Sequence, residues 1–348
     1  MRVKQCLLVL WCVFAAAGSA RAGYSDVILA DSPIAYYSFD TAGNYVVEDD
    51  SGNGRVGGFV EGVTTGTEPA TELIGGTSVE FDGATGKIQL DGLFGGPEVS
   101  AQTVEAWIKP YTLDPDFQCI VSATSTEYTH LMVTNASTAD PPWYCPPGTI
   151  RAAWYCDGRT ASIVDSDAVI PLNEWSHVVT VVDSSGKTEV YINGTAAFHT
   201  VWGTPEAPFN SIIAPNTLYI GAGWQGGRFF SGMIDEVAIY DKALTESQIA
   251  AHYAAATGGV VEPLAGDLNG DGVVSGADLD LVRANWGRTD AAGLAEGDAT
   301  GDGIVGGADL DVVRANWGAT AAAAVPEPGV TVILLFGLAM LIRRPQSD

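Results

Sequence analysis

The chain has 348 residues and a mass of 36.2 kDa, enough for one large domain or two ordinary ones. Hydrophobic residues make up 47% and charged residues 17%, so there is enough apolar surface to offset chain entropy, which excludes wholesale disorder. Lys and Arg number 16 against 42 Asp and Glu, a formal net charge of −26 that repels phosphate backbones and excludes nucleic acid as a partner.

Residues 1–22 open with Arg2 and Lys4, run apolar from Leu7 to Ala17 and close on Ala20-Arg21-Ala22. That order predicts a secretory signal peptide with the mature chain starting near Gly23, the run being shorter than the roughly 20 residues of a spanning helix. Cys6 and Cys12 leave with it, so Cys119, Cys145 and Cys156 enter an oxidising compartment, where at most one intramolecular disulfide can form. Cys145 with Cys156 is the favoured pair, because Trp143-Tyr144-Cys145 and Trp154-Tyr155-Cys156 read as facing arms of a hairpin; the other two pairings stay open.

From residue 24 to 257 the chain alternates short β-branched and aromatic runs with Gly, Asn and Asp, the pattern of an all-β sandwich. Strands are predicted at Ala35–Phe39, Ser78–Phe81, Thr103–Ile108, His177–Val182, Thr188–Ile192, Thr217–Ile220 and Met233–Ile239, and a helix only at Thr245–Tyr253. Asp183–Lys187 predicts a hairpin link, and Asn193-Gly194 a tight turn needing positive φ. Ala35-Tyr36-Tyr37-Ser38-Phe39-Asp40, Asp50-Ser51-Gly52-Asn53-Gly54, Val79-Glu80-Phe81-Asp82-Gly83 and Thr103-Val104-Glu105-Ala106-Trp107-Ile108 open a series of motifs. It continues through Glu174-Trp175-Ser176-His177-Val178-Val179, Tyr191-Ile192-Asn193-Gly194 and Ile234-Asp235-Glu236-Val237-Ala238-Ile239-Tyr240. In that order they resemble the LamG-like, concanavalin A-like domains, which implies an antiparallel jelly roll.

That fold hosts lectin-like, adhesive and hydrolytic members. Hydrolases on a similar sandwich carry a Glu-x-Asp-x-x-Glu run that brings carboxylates to one face of a strand, and none occurs here. Asp235 and Glu236 are adjacent and so are expected on opposite faces. His130, His177, His199 and His252 form no His-Glu-x-x-His pattern, and no Gly-x-Ser-x-Gly elbow is present. Binding therefore leads, with an O-glycosyl hydrolase as the alternative. Trp143, Trp154, Trp202 and Trp224, in Pro- or Gly-rich segments, are the candidate platforms for a polysaccharide or other surface ligand, whereas Trp107 and Trp175 read as core. The resemblance also implies a calcium ion at the sandwich rim from Asp50, the Asn53 loop and Asp235; turn formation explains the same residues without metal.

After a linker at 258–265, Gly266-Asp267-Leu268-Asn269-Gly270-Asp271-Gly272-Val273-Val274-Ser275-Gly276-Ala277-Asp278 recurs as Gly297-Asp298-Ala299-Thr300-Gly301-Asp302-Gly303-Ile304-Val305-Gly306-Gly307-Ala308-Asp309. Both copies continue to Arg-Ala-Asn-Trp-Gly, so the repeat at 266–318 is an internal duplication. Oxygen donors fall at positions 1, 3, 5 and 12 of a calcium loop, with Gly at 6. Copy one offers Asp267, Asn269, Asp271, the Val273 carbonyl, Ser275 and Asp278; copy two offers Asp298, Thr300, Asp302, the Ile304 carbonyl and Asp309, with Gly306 contributing nothing, and is the weaker site. Each loop leads into one helix, with Leu279, Val282 and Trp286, and then Leu310, Val313 and Trp317, on an apolar stripe. Two such stripes must pack on each other. One helix per loop with Asp at position 12 resembles a type I dockerin duplex, which implies a cohesin-like partner. Gly276-Ala277 and Gly307-Ala308 stand where cellulosomal dockerins carry polar reading residues, which puts ordinary cellulosomal pairing in doubt.

A second linker at 319–324 leads to Val325-Pro326-Glu327-Pro328, the apolar stretch Gly329–Ile342 and Arg343-Arg344. Residues 325–348 resemble the PEP-CTERM sorting signal of Gram-negative bacteria, which implies a C-terminal apolar membrane helix, processing by an exosortase-type protease, and a place in the cell envelope or outside the cell. Residues 23–328 retain 11 basic against 41 acidic residues, about −30, a charge that attracts divalent cations. The sequence thus reads as an exported, noncatalytic binding protein; the rivals are a glycan-degrading component and a structural matrix protein.

Overall fold

A computed structural model describes residues 23–41, 46–59, 62–91, 101–113, 117–123, 130–133, 146–156, 159–202, 217–223, 227–259, 264–270, 272–289 and 293–319. Residues 1–22 and 320–348, with the signal peptide and sorting tail read there, lie outside them. In chain order the elements are α1 (Tyr24–Ala30), β1 (Ala35–Tyr37), β2 (Val46–Val47), β3 (Gly57–Phe59), β4 (Val63–Thr67), β5 (Ser78–Asp82), β6 (Ile88–Asp91), β7 (Gln102–Pro110) and β8 (Gln118–Ala123). They continue with β9 (His130–Val133), β10 (Thr149–Cys156), β11 (Arg159–Val169), β12 (Ser176–Val182), β13 (Thr188–Ile192), β14 (Thr195–Ala196), β15 (Phe198–Trp202), β16 (Thr217–Ile220) and β17 (Ser231–Tyr240). Three helices follow: α2 (Glu246–Thr257), α3 (Gly276–Ala284) and α4 (Gly307–Ala315).

The strands form two antiparallel sheets. Sheet A runs β14-β13-β12-β7-β17-β5-β4, with β1 also on β17; sheet B runs β15-β11-β10-β9-β8-β16-β6-β3-β2. Six of the seven predicted runs fall wholly in strands; the seventh, Ala35–Phe39, is strand only to Tyr37, because Phe39 turns to φ 60°. The Asp183–Lys187 link closes β12 on β13, and Asn193 and Gly194, at φ 51° and 75°, turn β13 into β14.

Alternation along each strand separates two apolar layers. Val79, Phe81, Ile108, Val178, Ile234 and Ile239 of sheet A meet Ile88, Leu90, Val121, Leu131, Ile150 and Ile220 of sheet B in the core between the sheets. The opposite face of sheet A contributes Tyr36, Trp107, Val179, Tyr191 and Tyr240 to a second cluster, closed by Tyr24 and Ile28 of α1 and Ile249 and Ala256 of α2. Trp107 is indeed buried, but under the helices rather than between the sheets: its indole N–H donates to Tyr24 Oη at 3.2 Å, and Tyr253 of α2 stacks on it. Helix α2 starts in a capping box of Thr245 and Gln248 and stops at Gly258, φ 80°. Helix α1 was not predicted.

The repeat folds as two loop-helix units strapped to each other. Gly287 N–H donates to Val305 O and Val305 N–H to Arg288 O; in mirror fashion Gly318 N–H donates to Val274 O and Val274 N–H to Ala319 O. Val282 and Val313 are fully buried with Leu268, Val274 and Val305. The tryptophans depart from the expected stripe. The helices end at Ala284 and Ala315, where Asn285 and Asn316 turn their amides back to Leu281 O and Val312 O, so Trp286 and Trp317 lie past the helix ends and are exposed.

Candidate functional site

The two outer faces of the sandwich hold polar groups in different ways. Beneath α1 and α2, four chemistry-bearing side chains converge on sheet A. Glu105 of β7 receives Tyr240 Oη at 2.5 Å on one oxygen, while its other oxygen contacts His252 Nδ1 at 3.0 Å and His177 Nε2 at 3.2 Å. His252 reaches Asp31, just past α1, at 2.9 Å through Nε2, and Gln248 donates to the same carboxylate. Glu105, His177 and His252 have no solvent exposure. Burial pushes His252 down, but Glu105 and Asp31 outweigh it and raise its pKa to about 9. Burial likewise opposes ionisation of Glu105, and the two histidines win, holding it well below the usual carboxylate range. The network fastens both helices to the sheet; Glu105, His177 and His252 are sealed from solvent, and Asp31 at its outer end is half-buried.

The expectation for Asp235 and Glu236 is overturned. A bulge in β17 puts Glu236 at φ 52°, and this extra residue breaks the alternation: Ile234 and Val237 both enter the central core. Asp235 and Glu236 therefore share the helix-covered face. Asp235 accepts Ala70 N–H at 2.9 Å and Glu236 N–H at 3.0 Å; Glu236 accepts the Tyr36 hydroxyl. Burial raises both, and for Glu236 the neighbouring Asp235 adds to the rise. Both are almost wholly buried, so neither faces a cleft.

The residues considered for a rim calcium ion are engaged in loop ties. Asp50 accepts Ser38 N–H and Oγ–H at 3.1 and 2.7 Å, and Asn53 uses its amide as a donor to Pro33 O and Ile34 O. Asp49, beside them, gathers Tyr36, Ser51 and Arg55 backbone N–H groups. Among the described residues, no three His, Cys, Asp or Glu side chains are grouped to hold a metal. At the edge of sheet A, a shallow pocket of about 360 Å³ is lined by Gly62, Val63, Thr64, Glu80 and Asp82. Its two carboxylates, two residues apart, share a face of β5. Burial would raise Asp82, but the N–H groups of Thr85, Ala84 and Gly86 hold it down at about 2, as a turn-former rather than a proton donor.

The outer face of sheet B carries no helix among the described residues. Toward β10 and β11, Arg151 pairs bidentately with Asp165 at 2.6 and 2.8 Å, and the guanidinium groups of Arg151 and Arg228 lie 5.2 and 5.4 Å from the Phe117 ring centre. Cys119 is buried here with Phe117, Ala153 and Ile163. Toward β6 and β16 the face opens. Ile88, Leu90, Leu218 and Ile220 point into the core, so Lys87, Gln89, Asp91, Thr217 and Tyr219 point out; Asp91 is exposed and the rest are half-buried. Asp91 accepts Thr217 Oγ1–H at 2.6 Å and Gln89 Nε2–H at 3.0 Å, and Lys87 Nζ rests 4.9 Å from the Tyr219 ring centre. At an exposed site such a cation–π contact contributes about 0.5–1 kcal/mol, a small obstacle to an incoming ligand.

Trp143, Trp224 and Cys145 lie outside the described residues; of Trp154, Trp202 and Cys156 the backbone alone is described, on β10 and β15. The described neighbour of Trp154–Cys156 is the Arg159–Ser162 stretch of β11. Tyr219 has no loop signature in the sequence: it stands on a strand, unlike the tryptophans of the Pro- and Gly-rich segments. Strand alternation around Leu218 and Ile220 was the available signal.

In the repeat, the two loops are near copies. Gly270 and Gly272 take φ 71° and 81°, Gly301 and Gly303 take 72° and 81°, and the outer positions Asp267, Asp278, Asp298 and Asp309 turn inward and are buried. Asp278 accepts Leu268, Asn269 and Ser275 N–H groups; Asp267 accepts Gly272 N–H. In copy two, Thr300 Oγ1 lies 3.0 Å from Asp309 and 3.3 Å from Asp298, so positions 1, 3 and 12 converge. Ser275 does not simply face the loop: its hydroxyl accepts Ala277 N–H as the cap of α3. Asp271 lies outside the described residues.

Residues 81–250 match the family described as the concanavalin A-like lectin/glucanases superfamily (Laminin_G_3). Among solved structures, the chain is similar to domain 4 of a GH43 extracellular arabinanase from Geobacillus stearothermophilus, in complex with arabinotriose: 25% identity, 64% of this chain, 98% of that one, TM-score 0.46. It is also similar to the botulinum neurotoxin serotype D ligand binding domain in complex with N-acetylneuraminic acid (15%, TM-score 0.50) and to the binding domain of Paraclostridial Mosquitocidal Protein 1 (15%, TM-score 0.51). The match covers 68% and 67% of this chain and spans about half of those two domains, 54% of each. No curated protein matches the sequence.

Proposed function

We propose that this concanavalin A-like chain is an exported, envelope-associated, noncatalytic protein whose jelly roll recognises a polysaccharide and whose repeat is a calcium-stabilised, dockerin-like module for attachment or assembly. The contrast between the two outer faces carries the reading. On sheet A every buried acid and base is locked under α1 and α2, whereas sheet B presents a half-buried aromatic ring beside a ready set of hydrogen-bonding groups. Incubation of the secreted chain with a panel of insoluble polysaccharides tests it: retention on a glycan without release of reducing ends is expected, and retention on none, or steady release of sugar, overturns it.

The repeat fits calcium by its donor chemistry, oxygen atoms alone, and by the inward turn of the position 1 and 12 carboxylates over glycine-shaped loops. Asp267, Asn269, Asp271, the Val273 carbonyl and Asp278 would hold one ion, with Ser275 reaching it through water, and Asp298, Thr300, Asp302, the Ile304 carbonyl and Asp309 a second, weaker one. Bound calcium would add its binding free energy to folding of the module. The partner surface includes Gly276-Ala277 and Gly307-Ala308, exposed in both copies and free of polar side chains. Calorimetric titration of the chelator-treated full chain should show two unequal sites; no heat below millimolar calcium sinks this part of the reading. Export and tail processing are checked by the mass of the protein recovered from the envelope, expected to lack residues 1–22 and the apolar tail.

A further inference from the structure

We propose that the saccharide site of the jelly roll is a strand-borne platform on sheet B, built from Gly58, Gln89, Asp91, Thr217 and Tyr219, and that it takes a neutral glycan chain. The assignment rests on the sugar-binding reading above and gives it a location.

The register aligns these residues across three neighbouring strands. Gly58 of β3 stands opposite Gln89 of β6, which stands opposite Tyr219 of β16; one step along, Asp91 stands opposite Thr217. Directly paired residues of antiparallel strands share a face. The glycines of β3 confirm which face this is. A Cβ on Gly57 would strike Leu90 and Ile88 in the core at 2.6 and 3.2 Å, whereas one on Gly58 would meet nothing within 4 Å. Gly58 therefore leaves bare backbone beside Gln89, and the exposed Val46 of β2, paired with Gly58, closes the row Gly58-Gln89-Tyr219 at its outer end.

The side chains match the two chemistries of a sugar ring. Tyr219 supplies an aromatic surface for the C–H face of the ring. Asp91 and Gln89 supply acceptors and a donor close together for neighbouring hydroxyls, and their mutual hydrogen bond with Thr217 on the far side of Asp91 fixes both orientations before a ligand arrives. Charge selects among sugars. Asp91 lies within the platform and the exported chain carries about −30, so a uronate-rich chain is repelled.

The test uses the full secreted chain and titrates it with short neutral oligosaccharides of glucose, xylose and arabinose, and with oligogalacturonate. Tyr219→Ala is expected to weaken binding of a neutral oligosaccharide about tenfold or more. Gly58→Leu should do likewise by occupying the bare floor, without loss of thermal stability, because its Cβ enters open space. Neutral binding by the parent that both variants retain within about twofold overturns this site and leaves the sugar-binding reading standing. Binding of oligogalacturonate alone overturns the neutral-glycan assignment, and binding of nothing overturns the parent reading as well. Gly58→Leu keeps the site testable if Tyr219→Ala fails to fold.

Discussion

The two outer faces of this sandwich meet water in opposite ways. Sheet A buries Glu105, His177, His252, Asp235 and Glu236 under two helices, while sheet B keeps Gln89, Asp91, Thr217 and Tyr219 within reach of solvent. A cluster of perturbed acids and bases normally points to an active site. Here it does the reverse: the linked acids and bases of sheet A lie under the helices, sheet B keeps its own buried pair at Arg151 and Asp165, and the available residues toward β6 and β16 are ordinary polar ones. The Glu105–His252 pair, joined onward to Asp31 after α1, fastens β7 to the two helices, because a buried ion left without its partner is costly.

Substitutions on the two faces should therefore separate stability from binding. The largest effect is expected from His252→Ala, which leaves Glu105 and Asp31 without their shared cation and should cost about 3–5 kcal/mol, read as a lowered denaturant midpoint. Next comes pH. The raised pKa of His252 means that its stabilisation is complete below about 6.5 and disappears as pH climbs through about 9. The parent protein should thus lose stability over that window, and His252→Gln should flatten the slope. Glu236→Gln moves the other way. The raised pKa values of Asp235 and Glu236 impose a penalty that builds as pH rises from about 4, so the neutral amide, which still accepts the Tyr36 hydroxyl, should stabilise the protein by about 1–2 kcal/mol at pH 8 and by less at pH 5. Tyr219→Ala on sheet B should shift stability least, by about 0.5–1 kcal/mol, despite its large effect on sugar binding. A loss comparable to that of His252→Ala would erase the contrast.

Much of the architecture was legible from local pattern. Asn193-Gly194 announces its turn because only such residues tolerate positive φ in succession, and the strand runs around Trp107 and Val179 are marked by their β-branched and aromatic residues, buried on both faces. The repeat was legible because both copies carry Asp at loop positions 1, 5 and 12 and Gly at 6, at identical spacing. Three features were not. Helix α1 has seven residues and owes its place to α2 rather than to a long periodicity. The convergence of Glu105 with His252, 147 positions apart, is a property of topology that no local window contains. The bulge at Glu236 was hidden because a non-glycine residue with positive φ has no reliable local signature, and that one irregularity reversed the inference about two carboxylates.

The reciprocal straps of the repeat have a consequence for its ancestry. Each copy carries both halves of the same exchange: a valine segment that grips the far end of the other copy's helix, and a glycine turn that is gripped in return. Gly266 and Gly297 likewise lie against the opposite helix at equivalent positions, with φ of 93° and 92°: a Cβ on either would come within 3.1 Å of that helix's backbone. An arrangement with this symmetry is what two identical chains form about a twofold axis. The tandem unit has the anatomy of a homodimer whose subunits were joined by gene duplication, and half of it expressed alone should seek a second copy of itself.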